Sequence, residues 1–429
     1  MKIMPPVQGR VSRVVGSEVE VRGLRLPVGA AVNIETPNGI LPAEVVAIGE
    51  TGLRVAVLGS VEGLSRGAAV QPTGTAGQPI GSPLLGRIVD ALGRPIDGKG
   101  RIVGRRGGLD NPPPDALSRR RITEPMPVGV RVLDALTTLG RGQRVGLFAG
   151  SGVGKSTLLG MMARGAEADA VVICLVGERG REVREFLEDD LGPAALARSA
   201  VVVATSDQPA LVRVRAARYA TAVAEHLADQ GADVLFLCDS LTRFALAQRE
   251  IGLAAGEPPA ARGFTPSVFA ALPRLLERTG PRPIGTITAI YTVLVDGDDH
   301  NDPIADTVRG ILDGHIVLDR RLALAGRYPA VDPLASISRL ATKVLEPVAV
   351  DLAQRARAAL AAAESVRDLV EVGAYVAGTN PEADRGLALA PALIEMCRQR
   401  TDEVAPITDT FRTMAQIMAS VPDMTGAVR

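Results

Sequence analysis

Nine residues, Ala149-Gly150-Ser151-Gly152-Val153-Gly154-Lys155-Ser156-Thr157, restrict this chain more than any other stretch. An apolar run at 144–148 precedes them and Leu158-Leu159-Gly160-Met161-Met162 follows, so the order reads strand, glycine-rich loop, helix. In that setting the pattern is a phosphate cradle. Its glycines let successive N–H groups turn inward as an anion nest. The helix that follows points its positive end at the same place. Gly150, Ser151, Gly152, Val153, Gly154, Lys155, Ser156 and Thr157 are the candidate nucleotide contacts, with Lys155 on the outer phosphates and Ser156 on Mg²⁺. Ala149 stands where the pattern has its first glycine. Of 48 basic residues only Lys2, Lys99, Lys155 and Lys343 are lysines. A compact ammonium at 155, in a chain that otherwise uses arginine, suits a phosphate contact.

A chain of 429 residues has room for two or three domains and a large core. Hydrophobic residues make up 46%, which predicts folding and not disorder. The formal net charge is zero, so nothing holds the chain broadly on nucleic acid. Aromatics are 3% with no Trp, which leaves little on which bases can stack. Cys174, Cys238 and Cys397 are far apart and read as small packing residues in a reducing compartment. No apolar run reaches the ~18 residues of a membrane span and no signal peptide is visible. A cytoplasmic protein is expected, with peripheral membrane association left open.

Short β segments at 10–15, 18–22, 31–35, 41–48 and 53–58, separated by turn residues, predict a small closed barrel. Residues 71–81 read as a linker and 82–120 as irregular, with Asn111-Pro112-Pro113-Pro114 forbidding helix. Strand-like runs at 144–148, 170–176, 200–204, 234–238 and 285–295 then alternate with helical patterns at 181–190, 210–230 and 241–255. That alternation is the signature of an α/β fold, a mostly parallel sheet covered on both faces. Ligands in such sheets bind beyond the carboxyl ends of the strands. From about residue 350 the patterns are helical, at 352–372, 387–400 and 407–419.

Two further strand ends carry acids. Val234-Leu235-Phe236-Leu237-Cys238-Asp239 has the form of a strand that delivers a carboxylate to Mg²⁺. Asp239 also suits a helix cap, since the next helical pattern opens just after it. Val176-Gly177-Glu178-Arg179-Gly180-Arg181-Glu182 follows another strand. Glu178 is the candidate to polarise the attacking water, Arg179 to lend positive charge, and Glu182 to sit in the outer shell of the metal. Spacing alone leaves open a solvated charge cluster that starts a helix.

Together, residues 149–156, 177–183 and 235–244 resemble the catalytic subunits of rotary ATP synthases and their relatives, the ATPases of type III protein export. The resemblance covers the whole chain. It implies a β-barrel in 1–80, a RecA-like P-loop ATPase domain in 81–349 and a helical domain in 350–429. It also implies assembly as a homohexamer working on ATP with Mg²⁺. In that family the glutamate matching Glu178 positions water. The arginine matching Arg339, in Ser336-Ile337-Ser338-Arg339, reaches the γ-phosphate held by a neighbouring subunit. The tyrosine matching Tyr328 packs on adenine. An arginine supplied in this way is worth ~10³–10⁵ in rate in other nucleotide hydrolases.

The export branch fits best, on Asp296-Gly297-Asp298-Asp299-His300-Asn301-Asp302-Pro303-Ile304-Ala305-Asp306, on residues 311–318 and on residues 248–259. Val372-Gly373-Ala374-Tyr375 with Gly378 resembles the flagellar members. That resemblance implies export chaperone–substrate complexes, a regulatory stator-like protein and a membrane export gate as partners, at the inner membrane. Flagellar members carry a longer segment ahead of the barrel that binds the regulator. This chain starts only a few residues before its first strand, which counts against that contact. The alternatives are a non-flagellar type III secretion ATPase, a catalytic subunit of a rotary ATP synthase, and an RNA-dependent ring helicase. The charge and aromatic content disfavour the last. Glu178 disfavours a non-catalytic nucleotide holder. The acidic run at 296–306 does not match a calcium loop, since Asn301 and Thr307 stand where Gly and Glu are required. The three histidines lack metal-ligand spacing.

Overall fold

Val19 and Val21, Val32 and Ile34, Ala43 and Val45, Leu53 and Val55 are buried pairs at alternate positions, and strands so patterned close on an apolar interior. The computed structural model describes residues 8–16, 18–73, 77–295 and 302–421. In it β1 (Gly9–Val15), β2 (Glu18–Arg22), β3 (Ala31–Thr36), β4 (Gly39–Gly49), β5 (Gly52–Val57) and β6 (Ala69–Pro72) form a closed barrel in the order β1-β2-β5-β4-β3-β6. The sixth strand takes the first residues of the expected linker, and without it β1 and β3 would be open edges. Glu44 of β4 meets Arg215 at 2.8 Å and so ties the barrel to the next unit.

A two-stranded pair, β7 (Gln78–Pro79) with β9 (Arg106–Gly107), follows the barrel. The large sheet contains β8 (Arg87–Asp90), β10 (Arg144–Ala149), β11 (Ala170–Val176), β12 (Ser199–Ala204), β13 (Asp233–Asp239), β15 (Thr286–Leu294), β16 (Gly314–Val317) and β17 (Ile337–Ser338). Their order is β17-β16-β10-β15-β13-β11-β12-β8, and β14 (Gly280–Pro281) lies antiparallel beside β15. Pairing from β16 to β8 is parallel, whereas β17 runs antiparallel to β16. β11 is buried at every position, as a central parallel strand must be. One core packs the helices Ala210–Asp229, Leu241–Ala254, Pro266–Leu276 and Pro303–Ile311 on one face of the sheet. A second core, on the other face, packs Arg131–Leu136, Lys155–Gly165 and the closing helices Pro347–Ser365, Pro381–Cys397 and Ile407–Ser420.

The structure departs from the sequence reading at several elements. β8 lies inside the stretch read as irregular. It is short and only Val89 is fully buried, so periodicity does not announce it. The helix expected at 181–190 ends at Glu185, passes through a wider turn at Phe186–Leu191, and resumes as Gly192–Ala197 with Pro193 in its first turn. The helix expected at 352–372 starts at Pro347 and ends at Ser365, with Arg367–Glu371 a separate turn. Most of the acidic run, 296–301, lies outside the described residues. Asp302 caps the helix Pro303–Ile311, its Oδ1 accepting from the N–H groups of Ile304 and Ala305. Cys174 and Cys238 are buried neighbours on β11 and β13, and Cys397 is partly exposed. No helix among the described residues is long and apolar enough to cross a membrane.

Candidate functional site

The strands β10, β11 and β13 deliver their carboxyl ends to one edge of the sheet. After β10 the chain turns through Gly152 (φ 76°) and Gly154 (φ 91°), a left-handed geometry that side chains resist. The helix Lys155–Gly165 then begins directly. Ala149, in place of the usual glycine, puts its methyl group into the core at 2% exposure, so the substitution is absorbed by packing.

Lys155 Nζ lies 2.5 Å from Asp239 Oδ1 and 3.4 Å from Glu178 Oε1. Burial works against the ammonium, but the two carboxylates outweigh it and hold Lys155 above the usual lysine range. Asp239 is also fixed from β15, where Thr292 Oγ1 donates to its Oδ1 at 2.7 Å. The helix after β13 is capped by Ser240, whose hydroxyl accepts from Arg243 N–H at 3.2 Å. Asp239 is therefore not needed as a cap and faces the ammonium.

Burial, assisted by Asp239, pushes Glu178 up to about 7 against the pull of Lys155. Glu178 is also hydrogen-bonded to Glu182. Burial works against the Glu182 anion, but that bond and the Arg179 N–H hold its carboxyl below the usual glutamate range. As pH falls through about 7 the pair takes up a proton, which sits on Glu178. The Arg179 side chain is not in this cluster: it is 76% exposed and pairs with Glu182 at 3.9 Å. Thr157 turns to Asp190, with which it hydrogen-bonds. Tyr328 stands at the other flank of the loop, half exposed, its ring 3.7 Å from where a side chain at Gly154 would begin.

Arg339 is elsewhere. It follows β17, whose Ser338 pairs with Gly314 at the amino end of β16. The P-loop leaves the sheet at the other end, level with Leu318, whose N–H donates to Phe148 O. Four residues of strand, roughly 13 Å, separate the two levels. Arg339 is exposed and its guanidinium donates to Arg309 O at 3.4 Å.

Three contributors were missed in the sequence. Thr292 is one. Arg320 donates from Nη2 to Ser151 O at 3.3 Å and so braces the loop. Arg243 packs against Gly177, where a Cβ would lie 2.8 Å from its own Cβ, and its buried Nε has no hydrogen-bond partner. An Nε–H without an acceptor, on the side chain packed against Gly177 and so next to Glu178, is a donor suited to an anion. No local pattern marks any of the three; Arg243 carries the nearest thing to one, its place on the first helical turn after Asp239.

The donor set suits a hard divalent cation: the Ser156 hydroxyl and the carboxylates Asp239 and Glu182 are all oxygen ligands. Among the described residues no cluster of three or more His, Cys, Asp or Glu would hold an ion by itself. The residues therefore fit Mg²⁺ that arrives with phosphates and takes part of its coordination from them. An open cleft of about 660 Å³ is lined by Asn111, Gln248, Asp110 and the arginines Arg218, Arg274 and Arg278, but by no lysine and by none of the strand-end carboxylates. The meeting of Lys155 with Asp239 and Glu178 at the strand ends, not concavity, marks the site.

Residues 129–338 match the nucleotide-binding domain of the ATP synthase alpha/beta family, 11–74 its beta-barrel domain, and 346–416 the T3SS EscN ATPase C-terminal domain. The flagellum-specific ATP synthase of Bacillus subtilis is 50% identical over 95% of this chain and 94% of its own length. The type 3 secretion system ATPase of Xanthomonas euvesicatoria is 48% identical over 95% and 93%. The assembled ATPase EscN of the enteropathogenic E. coli type III secretion system superposes with a TM-score of 0.90 at 42% identity, over 96% of this chain and 100% of that one. EscN in complex with its central stalk EscO gives 0.89 at 41%, over the same shares. With barrel, nucleotide-binding sheet and helical end all matched, the chain belongs to the ATP synthase alpha/beta family, in the branch of the flagellum-specific ATP synthases and type III secretion ATPases.

Proposed function

We propose that this chain hydrolyses ATP as a homohexameric ring and couples hydrolysis to export of flagellar, type III protein substrates. The observation that carries the reading is the meeting of Lys155, Asp239 and Glu178 at one sheet edge, with Arg339 on another level of the same subunit.

In this reading the N–H groups of Gly150, Ser151, Gly152, Val153 and Gly154 enclose the phosphates, and the Thr157 N–H joins them from the helix. Lys155 exchanges its carboxylate partners for the β- and γ-phosphates. Tyr328 covers the adenine. Mg²⁺, held by Ser156 and by Asp239 and Glu182 through water, would neutralise charge on the phosphate oxygens. Glu178, once deprotonated, orients the attacking water, and the charge of Mg²⁺ would replace the ammonium that had favoured its anion. Arg243 supplies charge to the transferring phosphoryl group from within the subunit, and Arg339 of the adjacent copy supplies it from outside. Arg179, exposed and paired with Glu182, takes no part in the phosphoryl chemistry within its own subunit. A site finished by its neighbour fires only in an assembled ring.

The unit boundaries proposed are 1–80, 81–349 and 350–429. The similarity to export ATPases supports chaperone–substrate complexes, a stator-like regulator and a membrane export gate as partners. It also supports a cytoplasmic location at the face of the inner membrane. EscN, solved with a central stalk, supports a stalk partner here too. The test is turnover of the purified chain against its own concentration. Specific activity rises as rings form, Glu178→Gln binds ATP without turnover, and Arg339→Ala binds ATP but gains nothing from assembly. A specific activity independent of concentration, or an active Glu178→Gln, rejects the proposal.

A further inference from the structure

Gln143 is a fully buried amide at the amino end of the P-loop strand. Its Oε1 accepts from Gly140 N–H at 2.8 Å. Its Nε2 donates to Asp313 O at 3.0 Å and to Ser338 Oγ at 3.2 Å. Ser338 Oγ is in turn 3.3 Å from Gln143 Oε1. The same Asp313 carbonyl accepts from the N–H of Arg339 at 3.1 Å. Room for the amide is made by Gly314, where a Cβ would lie 3.2 Å from Nε2 and 2.5 Å from Ile337 O. One side chain thus closes on both sides of Arg339's attachment: the residue before it and the carbonyl that holds its backbone.

The amino end of β17 is anchored by the buried Ser336, whose hydroxyl accepts from Val317 N–H at 3.0 Å and whose carbonyl accepts from Arg357 at 3.1 Å, but the carboxyl end that carries Arg339 is less held. The strand is two residues long, pairs on one side only, and Ile337 is 48% exposed. A strand that short gains no register from apolar alternation. An arginine projecting from it needs its root fixed, since misplacement by about 1 Å costs ~10²-fold where a catalytic contact is concerned. We propose that Gln143 is the positioning residue of the Arg339 finger, a clamp that sets where the finger meets the next copy. The inference rests on the reading of Arg339 as a finger in trans. Gln143 touches no nucleotide. It precedes β10, so a strand of six residues separates the clamp from the copy's own P-loop. Its loss is therefore felt in the neighbour's site and not in its own.

The test compares Gln143→Leu, Ser338→Ala and Arg339→Ala, each alone and mixed with Glu178→Gln subunits, whose fingers are intact. Gln143→Leu is expected to assemble and bind an ATP analogue as the parent does, and to lose about 10- to 100-fold in ring-dependent turnover. Ser338→Ala, which removes only the hydroxyl, loses less in the same direction and serves the comparison if Gln143→Leu does not fold. Mixing with Glu178→Gln restores turnover to the clamp variants as it does to Arg339→Ala, while a mixture of Gln143→Leu with Arg339→Ala turns over no faster than Gln143→Leu alone. If Arg339→Ala is rescued and the clamp variants are not, or if their analogue affinity falls with their turnover, Gln143 serves its own P-loop and the inference is wrong. If Arg339→Ala keeps full turnover in assembled rings, the trans reading itself fails.

Discussion

The acid that orients water must be ionised to do so, and here the protein opposes its ionisation. Burial and the nearby Asp239 raise Glu178 from 4.5 to about 7, even with Lys155 at 3.4 Å. A shift of that size makes the anion about 3 kcal/mol harder to form than in water. The sign follows directly. Below about pH 7 the empty site keeps the proton on Glu178, hydrogen-bonded to Glu182, and above it the carboxylate is free. Because kcat/KM reports the free enzyme, it should fall about tenfold per unit as pH drops below 7. At saturating ATP the ammonium moves to the phosphates, which removes a pull that lowers Glu178, while the charge of adjacent Mg²⁺ would restore one, so the limb in kcat reports the balance of the two. Phosphate release measured from about pH 5.5 to 8.5 at fixed Mg²⁺, over ATP concentrations from well below KM to saturation, reads both limbs. Glu178→Gln should lower turnover by ~10²–10⁴ and abolish the limb in what remains. A kcat/KM that stays flat down to about pH 5.5, or a Glu178→Gln variant with the limb intact, refutes the assignment.

Two other perturbations are specific. Arg243→Ala removes a guanidinium whose buried Nε has no partner, and should cost about 10²–10³ in kcat while nucleoside diphosphate affinity, measured by calorimetry, changes little. Arg278→Leu leaves Glu225, 1% exposed, without its bidentate partner and with only Asn111 as donor. Denaturant unfolding should show a loss of about 3–5 kcal/mol, with much of it recovered in the double variant with Glu225→Gln.

What could be read in the sequence was whatever chemistry is local. The P-loop announces itself because phosphate binding needs glycines, a lysine and a hydroxyl at fixed spacing within one turn. Glu178 and Asp239 are legible because each ends an apolar strand, and parallel strands send their carboxyl ends to one edge. Arg243, Arg320 and Thr292 were illegible because each reaches the site from a different element: the two arginines sit where any polar residue is ordinary, and Thr292 is one buried threonine in a strand, where threonine is common. Arg339 and Tyr328 entered only through family resemblance. That Arg339 lies far from its own P-loop depends on the antiparallel return of β17, a topological fact with no trace in residue order. β8 went unseen for a different reason: a sheet edge four residues long asks for only one buried side chain.

The central claim is that one copy completes the nucleotide site of the next. A structure of the assembled chain with Mg²⁺ and a non-hydrolysable ATP analogue tests it most directly. The account predicts the guanidinium of Arg339 from one copy within hydrogen-bonding distance of the γ-phosphate on Lys155 of its neighbour. An analogue enclosed by a single copy, with every Arg339 turned to solvent, would contradict it.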